Sequence, residues 1–219
     1  MNQMLQDSQV QDSQVQDSEI QDSQAQDSQA QDSKAQDAKA QASGAKGAPD
    51  AVEPPATPAH PRFARPQRIA FVQACWHREV VEAAKVAFLA EIEARHIPRE
   101  RVDIFEVPGS FEIPLHAQLL AKTRRYTAIV AAGLVVDGGI YRHEFVSDTV
   151  IKALMDVQLR TEVPVFSAVL TPQQFHETQP HFDFFRKHFA VKGVEVAEAC
   201  ANTLLSLERL RGQVAAGIA

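Results

Sequence analysis

The chain has 219 residues, 45% of them hydrophobic, with 22 lysines and arginines against 28 aspartates and glutamates for a net charge of −6. The charge is uneven: residues 1–60 hold ten acids and three bases, which leaves 18 acids and 19 bases for the rest. That nearly neutral remainder offers no basic surface for nucleic acid or for an anionic membrane.

Residues 1–60 are low complexity, opening on a five-residue repeat, "QDSQV QDSQV QDSEI QDSQA". Five residues advance a helix by roughly 500°, so Val10, Val15, Ile20, Ala25 and Ala30 spiral around it and form no stripe. In a strand the odd period sends them to alternate faces. Neither element buries such a pattern, and the segment is expected to be a disordered tail before a domain at 61–219. The start of the chain carries no basic and apolar run, so no secretory signal is expected. No stretch reaches the ~20 apolar residues of a membrane span. The two cysteines, Cys75 and Cys200, suit a reducing compartment, so the expected location is cytoplasmic. The histidines at 176, 181 and 188 are irregularly spaced, and no zinc site or other metal site is expected.

From residue 68 the elements alternate. "RIAFVQAC" (68–75) has strand length and is nearly all apolar. A helix over 78–95 follows, with Val81, Ala84, Phe88 and Ile92 at helical spacing. A second strand (101–109) stops at Pro-Gly, and a helix over 111–125 tolerates its early proline in the first turn. "YTAIVAAGLVV" (126–136) is the most apolar strand and is expected to be central. A helix (143–161), a fourth strand (163–171), a turn with a histidine- and phenylalanine-rich segment (172–189) and a last helix (191–211) complete the order. Strands that are apolar throughout, separated by amphipathic helices, indicate an α/β domain with a parallel sheet covered on both faces. Ligands of such sheets collect at the carboxyl ends of the strands. Three of those ends carry unusual chemistry: Trp76 and His77, Ser110 to Glu112, and Gly138 to His143.

"VPGSFEIP" (107–114), "GLVVDGGIYRHEFV" (133–146), "VPV" (163–165) and "KGVE" (192–195), in this order and spacing, resemble the lumazine synthases. The resemblance runs from about residue 68 to residue 211. Trp76 and "GGIYRH" look like the second subtype of that family, which is associated with decamers, other members forming pentamers or 60-subunit shells. The resemblance implies a flavodoxin-like four-stranded sheet and a homo-oligomer built on pentamers, with active sites shared between neighbours. It also implies condensation of 5-amino-6-(D-ribitylamino)uracil with 3,4-dihydroxy-2-butanone 4-phosphate in riboflavin biosynthesis, without metal or organic cofactor.

Carried over position by position, the resemblance makes Trp76 the ring that stacks on the pyrimidine. Ser110, Phe111 and Glu112 match contacts to the ribityl chain and ring, and Leu134, Val135 and Val136 match the backbone lining of the pyrimidine. Gly138, Gly139 and Ile140 match the loop whose amides bind phosphate near a helix N-terminus. The family's proton-transferring histidine aligns with Arg142, with His143 one place late and expected to point about 100° away. Arginine stays protonated, so at that place it holds charge and does not shuttle protons. The family's phosphate-binding arginine aligns with His181; the region carries an insertion before Lys192, itself counted among the phosphate-binding residues, so Arg186 or Lys187 could serve in its place. Ser167 replaces a phenylalanine that the neighbouring subunit contributes. A low-turnover protein that holds lumazine or flavin on the same fold is the alternative reading.

Overall fold

The computed structural model describes residues 60–140 and 142–218. The expectation for the repeat-containing tail falls at 1–59, outside them. Four parallel strands form one sheet: β1 (Ile69–Ala74), β2 (Val102–Val107), β3 (Ala128–Leu134) and β4 (Val165–Leu170), in the order β2-β1-β3-β4. The helices are α1 (Arg78–Ala94), α2 (Ile113–Lys122), α3 (His143–Thr161) and α4 (Gln179–Ala215), with short 3-10 turns at Arg99–Arg101 and Ser110–Glu112. This is the expected α/β arrangement, flavodoxin-like, with β3 central.

Both inner strands are buried along their whole length, and alternation sends their side chains into two separate cores. Ile69 and Phe71 join Phe88 of α1 and Phe189 and Cys200 of α4 on one face. Ala70, Val72 and Ala74 join Ile113 and Ala117 of α2 and Val150 and Leu154 of α3 on the other. Burial raises the Cys200 thiol well above the ordinary range, which leaves it an inert packing group. Helices α1 and α4 cross closely because Gly193 has no side chain: a Cβ there would collide with the Ala84 carbonyl oxygen.

Two expectations are corrected. Strands apolar throughout describe β1 and β3 but not β2, an edge strand whose Asp103, Ile104, Phe105 and Glu106 are all partly or fully exposed. The last helix begins at Gln179, not 191, and absorbs most of the segment read as a turn. Pro180 occupies its first turn, and Phe182, Phe185 and Phe189 recur at helical spacing to pack inward.

At the amino ends of the strands, the Arg68 guanidinium grips Asp103 through Nε (2.8 Å) and Nη2 (2.7 Å), and the Tyr126 hydroxyl donates to the same carboxylate at 2.8 Å. Burial alone would raise the Asp103 pKa, but these donors win and hold it below the ordinary aspartate range. One carboxylate thus ties together the residues that lead into β1, β2 and β3.

Candidate active site

The chain reverses its direction of travel across the sheet between β1 and β3: from β1 it crosses to β2 on one side, then returns to β3 on the other. A crevice opens at such a switch point. Here it is a cleft of about 440 Å³, lined by Trp76, His77, Ser110, Phe111, Glu112, Leu134, Val135, Val136, Gly138, His143 and Val146. Three separate strand ends therefore meet in one place.

Trp76 follows β1 and stays 66% exposed, so it is no core residue. Its amide donates to the Pro108 carbonyl at 3.2 Å, and its indole lies against Gly109, where a Cβ would stand 3.0 Å from two ring carbons. The ring has one face supported by protein and room for a flat ligand beside it. His77 adopts the left-handed region (φ 52°, ψ 42°) at the head of α1, an uncommon conformation for a residue with a Cβ. Its imidazole meets Phe175 edge-on at 5.2 Å. His77 was noticed in sequence at a strand end but given no role; the structure makes it part of the wall.

Across from Trp76, the Glu112 carboxylate accepts the Gly109 N–H at 2.9 Å, which fixes the turn after β2. The Ser110 hydroxyl is buried without a partner among the described residues and occupies the space a Cβ on Gly133 would take. An unpartnered buried hydroxyl in a cleft wall is a polar group whose hydrogen-bonding capacity the fold leaves unused. Val135 donates its amide to the Leu170 carbonyl (2.9 Å), so β3 reaches the cleft as rigid sheet. Beyond it, Gly139 takes φ 72° and donates its N–H to Asp137 Oδ1 at 2.8 Å, while Gly138 and Gly139 have open space around them. Ile140 is exposed beside them.

The expectation that His143 points away from the site is overturned. His143 lines the cleft with its side chain only 13% exposed, whereas the Arg142 guanidinium lies over the Phe145 ring at 5.6 Å from its centroid. Residue 142 precedes the helix in an extended conformation (φ −74°, ψ 93°), so the 100° step of a helix does not relate the two side chains. Helical geometry was applied one residue too early.

Six further candidates lie outside the cleft lining: Gly139 and Ile140 in the loop at its edge, and Ser167, His181, Arg186 and Lys192 away from it. Ser167 is exposed on β4, where its hydroxyl accepts the Val169 N–H. His181 packs against Phe175 and accepts the His176 N–H on Nδ1. Arg186 stands 3.7 Å from Asp183, and Lys192 2.7 Å from Glu195, both on α4. Among the described residues no cluster of histidine, cysteine or acidic side chains is placed to hold a metal ion, and no helix is long and apolar enough to cross a membrane.

Residues 66–208 match the family model of 6,7-dimethyl-8-ribityllumazine synthase. The chain belongs to that family. It is 83% identical over 168 residues to 6,7-dimethyl-8-ribityllumazine synthase 2 of Bradyrhizobium diazoefficiens, covering 77% of this chain and 100% of that one. The enzyme of the same name from Rhodopseudomonas palustris is 65% identical over 169 residues, 77% of this chain and 92% of its own. The 6,7-dimethyl-8-ribityllumazine synthase of Rhodococcus erythropolis is 60% identical over 144 residues, 66% and 93% respectively. All of these matches fall on a family of enzymes, and the cleft described above lies entirely inside the matched residues.

Proposed function

We propose that this chain condenses 5-amino-6-(D-ribitylamino)uracil with 3,4-dihydroxy-2-butanone 4-phosphate to 6,7-dimethyl-8-ribityllumazine, releasing phosphate. The observation that carries the reading is the meeting of Trp76, the buried Ser110 hydroxyl and His143 in one cleft of a member of this family. An amine attacks a ketone and loses water to form an imine; phosphate is then eliminated, and the second amine closes the ring with loss of another water. Each step needs positioning and a proton moved, which suits a cleft without a strong nucleophile.

Trp76 stacks on the pyrimidine against the support of Gly109, and the strand end Leu134–Val136 presents backbone groups to the ring edge. Ser110, Phe111 and Glu112 hold the ribityl chain. Gly138, Gly139 and Ile140 receive the phosphate. His143 is the proton-transfer group, because its imidazole reaches the cleft and Arg142 rests on Phe145. Residues 61–219 are the catalytic domain, and 1–60 are a tail outside it.

The enzyme acts as a homo-oligomer built on pentamers, a decamer by its subtype, in the cytoplasm. Phe111 and Ile140 beside the cleft, Leu115 and Leu119 on α2, and Phe145, Met155 and Leu159 on α3 are all exposed apolar side chains, the kind of surface a neighbouring copy would cover. By the family resemblance, a neighbour covering it would contribute Ser167 to the cleft of the next copy.

The test mixes both substrates with the full chain and follows the fluorescence of the lumazine. Turnover above the spontaneous condensation is expected. Tight binding of lumazine or flavin with no turnover would overturn the reading in favour of a binding protein.

A further inference from the structure

The carboxyl ends of the strands hold the cleft, and the amino ends hold a second cavity. It measures about 430 Å³, and its walls include Arg62, Phe63, Arg65, Ile97, Pro98 and Arg101. Two pieces of chain build it: the entry to β1, and the connection from α1 through the 3-10 turn Arg99–Arg101 into β2. A six-residue strand, roughly 20 Å, separates it from the cleft.

The arginines of this cavity outnumber the one carboxylate, Glu208, that lies against the 64–67 stretch of its wall. Among the described residues, none of Arg62, Arg65 and Arg101 has a carboxylate within ion-pair distance, and Arg99 beside Arg101 has none either. Arg68 holds Asp103, and Arg95 holds Glu91 and Glu198. Glu208, which lies against this entry segment, is spent on the backbone N–H groups of Ala64 and Arg65 and on the Gln67 amide. The His96 ring is engaged with the His60 carbonyl at 3.0 Å. Three exposed arginines line this one concavity, and among the described residues none of them is held in an ion pair. Each is a planar, permanently charged fork suited to phosphate oxygens. Phe63, half-buried, and Pro98, exposed, add apolar surface beside them.

We propose that this cavity is a second ligand site, one that takes a small phosphate-bearing anion. The inference stands on the amino end of the sheet and does not depend on the reading of the cleft. Free phosphate and a phosphate ester with a flat apolar body share the recognised group; the apolar wall distinguishes them.

Calorimetric titrations of the full chain with adenosine 5′-monophosphate and with inorganic phosphate test this, alongside an Arg65→Gln/Arg101→Gln double variant. The wild-type chain is expected to show a binding component that the double variant weakens by about tenfold or more, the scale of lost charge-assisted hydrogen bonds. Lumazine formation should be unchanged, since neither arginine is near the cleft. Tighter binding of the nucleotide than of phosphate identifies an ester as the ligand; equal binding identifies free phosphate. Arg62→Gln, a single exposed change at the start of the entry segment, gives the same readout should the double variant fold poorly. No binding by the wild-type chain, or affinities untouched by these substitutions, would overturn the proposal.

Discussion

The indole of Trp76 rests on the bare α-carbon of Gly109, close enough that a single methyl group would push it away: a Cβ would stand 3.0 Å from two ring carbons and 3.2 Å from Glu112 Oε2. The position of the stacking ring is therefore set by a residue on another strand end. Gly109→Ala has no backbone strain to contend with, since its φ of −137° suits any residue, and the exposed ring has room to move. It should lower affinity for the uracil substrate while leaving the melting temperature nearly unchanged. Trp76→Ala should weaken that binding by about 1–3 kcal/mol, the scale of base–aromatic stacking, and Trp76→Phe should be milder. A fall in melting temperature as large as the fall in affinity would mark the ring as a packing residue.

Residues 142 and 143 make opposite predictions. With the His143 ring in the cleft and the Arg142 guanidinium on Phe145, His143→Ala should reduce kcat by up to about 10²-fold, the low end of what general acid–base assistance supplies. Arg142→Ala should cost less and act mainly on the KM for the butanone phosphate. Steady-state kinetics on both variants decide it, and a silent His143→Ala beside an inactive Arg142→Ala would move the proton-transfer role off His143.

Gly133 is the point where β3 passes the Ser110 hydroxyl. A Cβ there would overlap that oxygen and press on the Ala74 Cβ at 3.3 Å and the Ile113 Cδ1 at 3.4 Å. All three neighbours are buried. Gly133→Ala should destabilise the fold by about 1–3 kcal/mol, as overpacking in a tight core does. Pairing it with Ser110→Gly should recover part of the loss in a denaturation experiment, because the worst overlap disappears.

Asp103 gives a pH-dependent stability. Its folded pKa is depressed, so the stabilisation it provides is present above the unfolded value of about 3.9 and is lost as pH falls through that value to the folded one. Asp103→Asn should cost about 1–3 kcal/mol near neutral pH, where Arg68 and Tyr126 lose a charged acceptor. The gap in melting temperature between wild type and variant should narrow below pH 4 or so. A gap independent of pH would mean that the carboxylate contributes by shape alone.

The parallel sheet, the central place of β3 and the three converging strand ends were legible, because β1 and β3 are apolar runs that only a doubly covered sheet accommodates. Edge strand β2 was read too simply: Asp103 and Glu106, three residues apart, put a carboxylate on each face and interrupt the apolar run. The start of α4 was missed although Pro180 and the spacing of Phe182, Phe185 and Phe189 signalled it, since two histidines among them suggested a loop. Which of residues 142 and 143 faces the cleft was beyond the sequence. It turns on the backbone angles of a helix cap, and no periodicity encodes those.

The glycine loop already holds an anion of its own. Asp137 Oδ1 accepts the Gly139 N–H that an incoming phosphate would seek, so binding at this amide is an exchange of one negatively charged acceptor for another. Such an exchange gains less than filling an empty donor, because both states contain a charge-assisted hydrogen bond. Asp137→Ala should therefore tighten inhibition by inorganic phosphate, measured as a lower inhibition constant against the butanone phosphate; a constant that stays the same or rises would remove the carboxylate from this role. The same side chain that shapes the loop between turnovers makes it a poor trap for the leaving group, and a catalyst that frees a phosphate on every cycle needs a door that its own product does not hold shut.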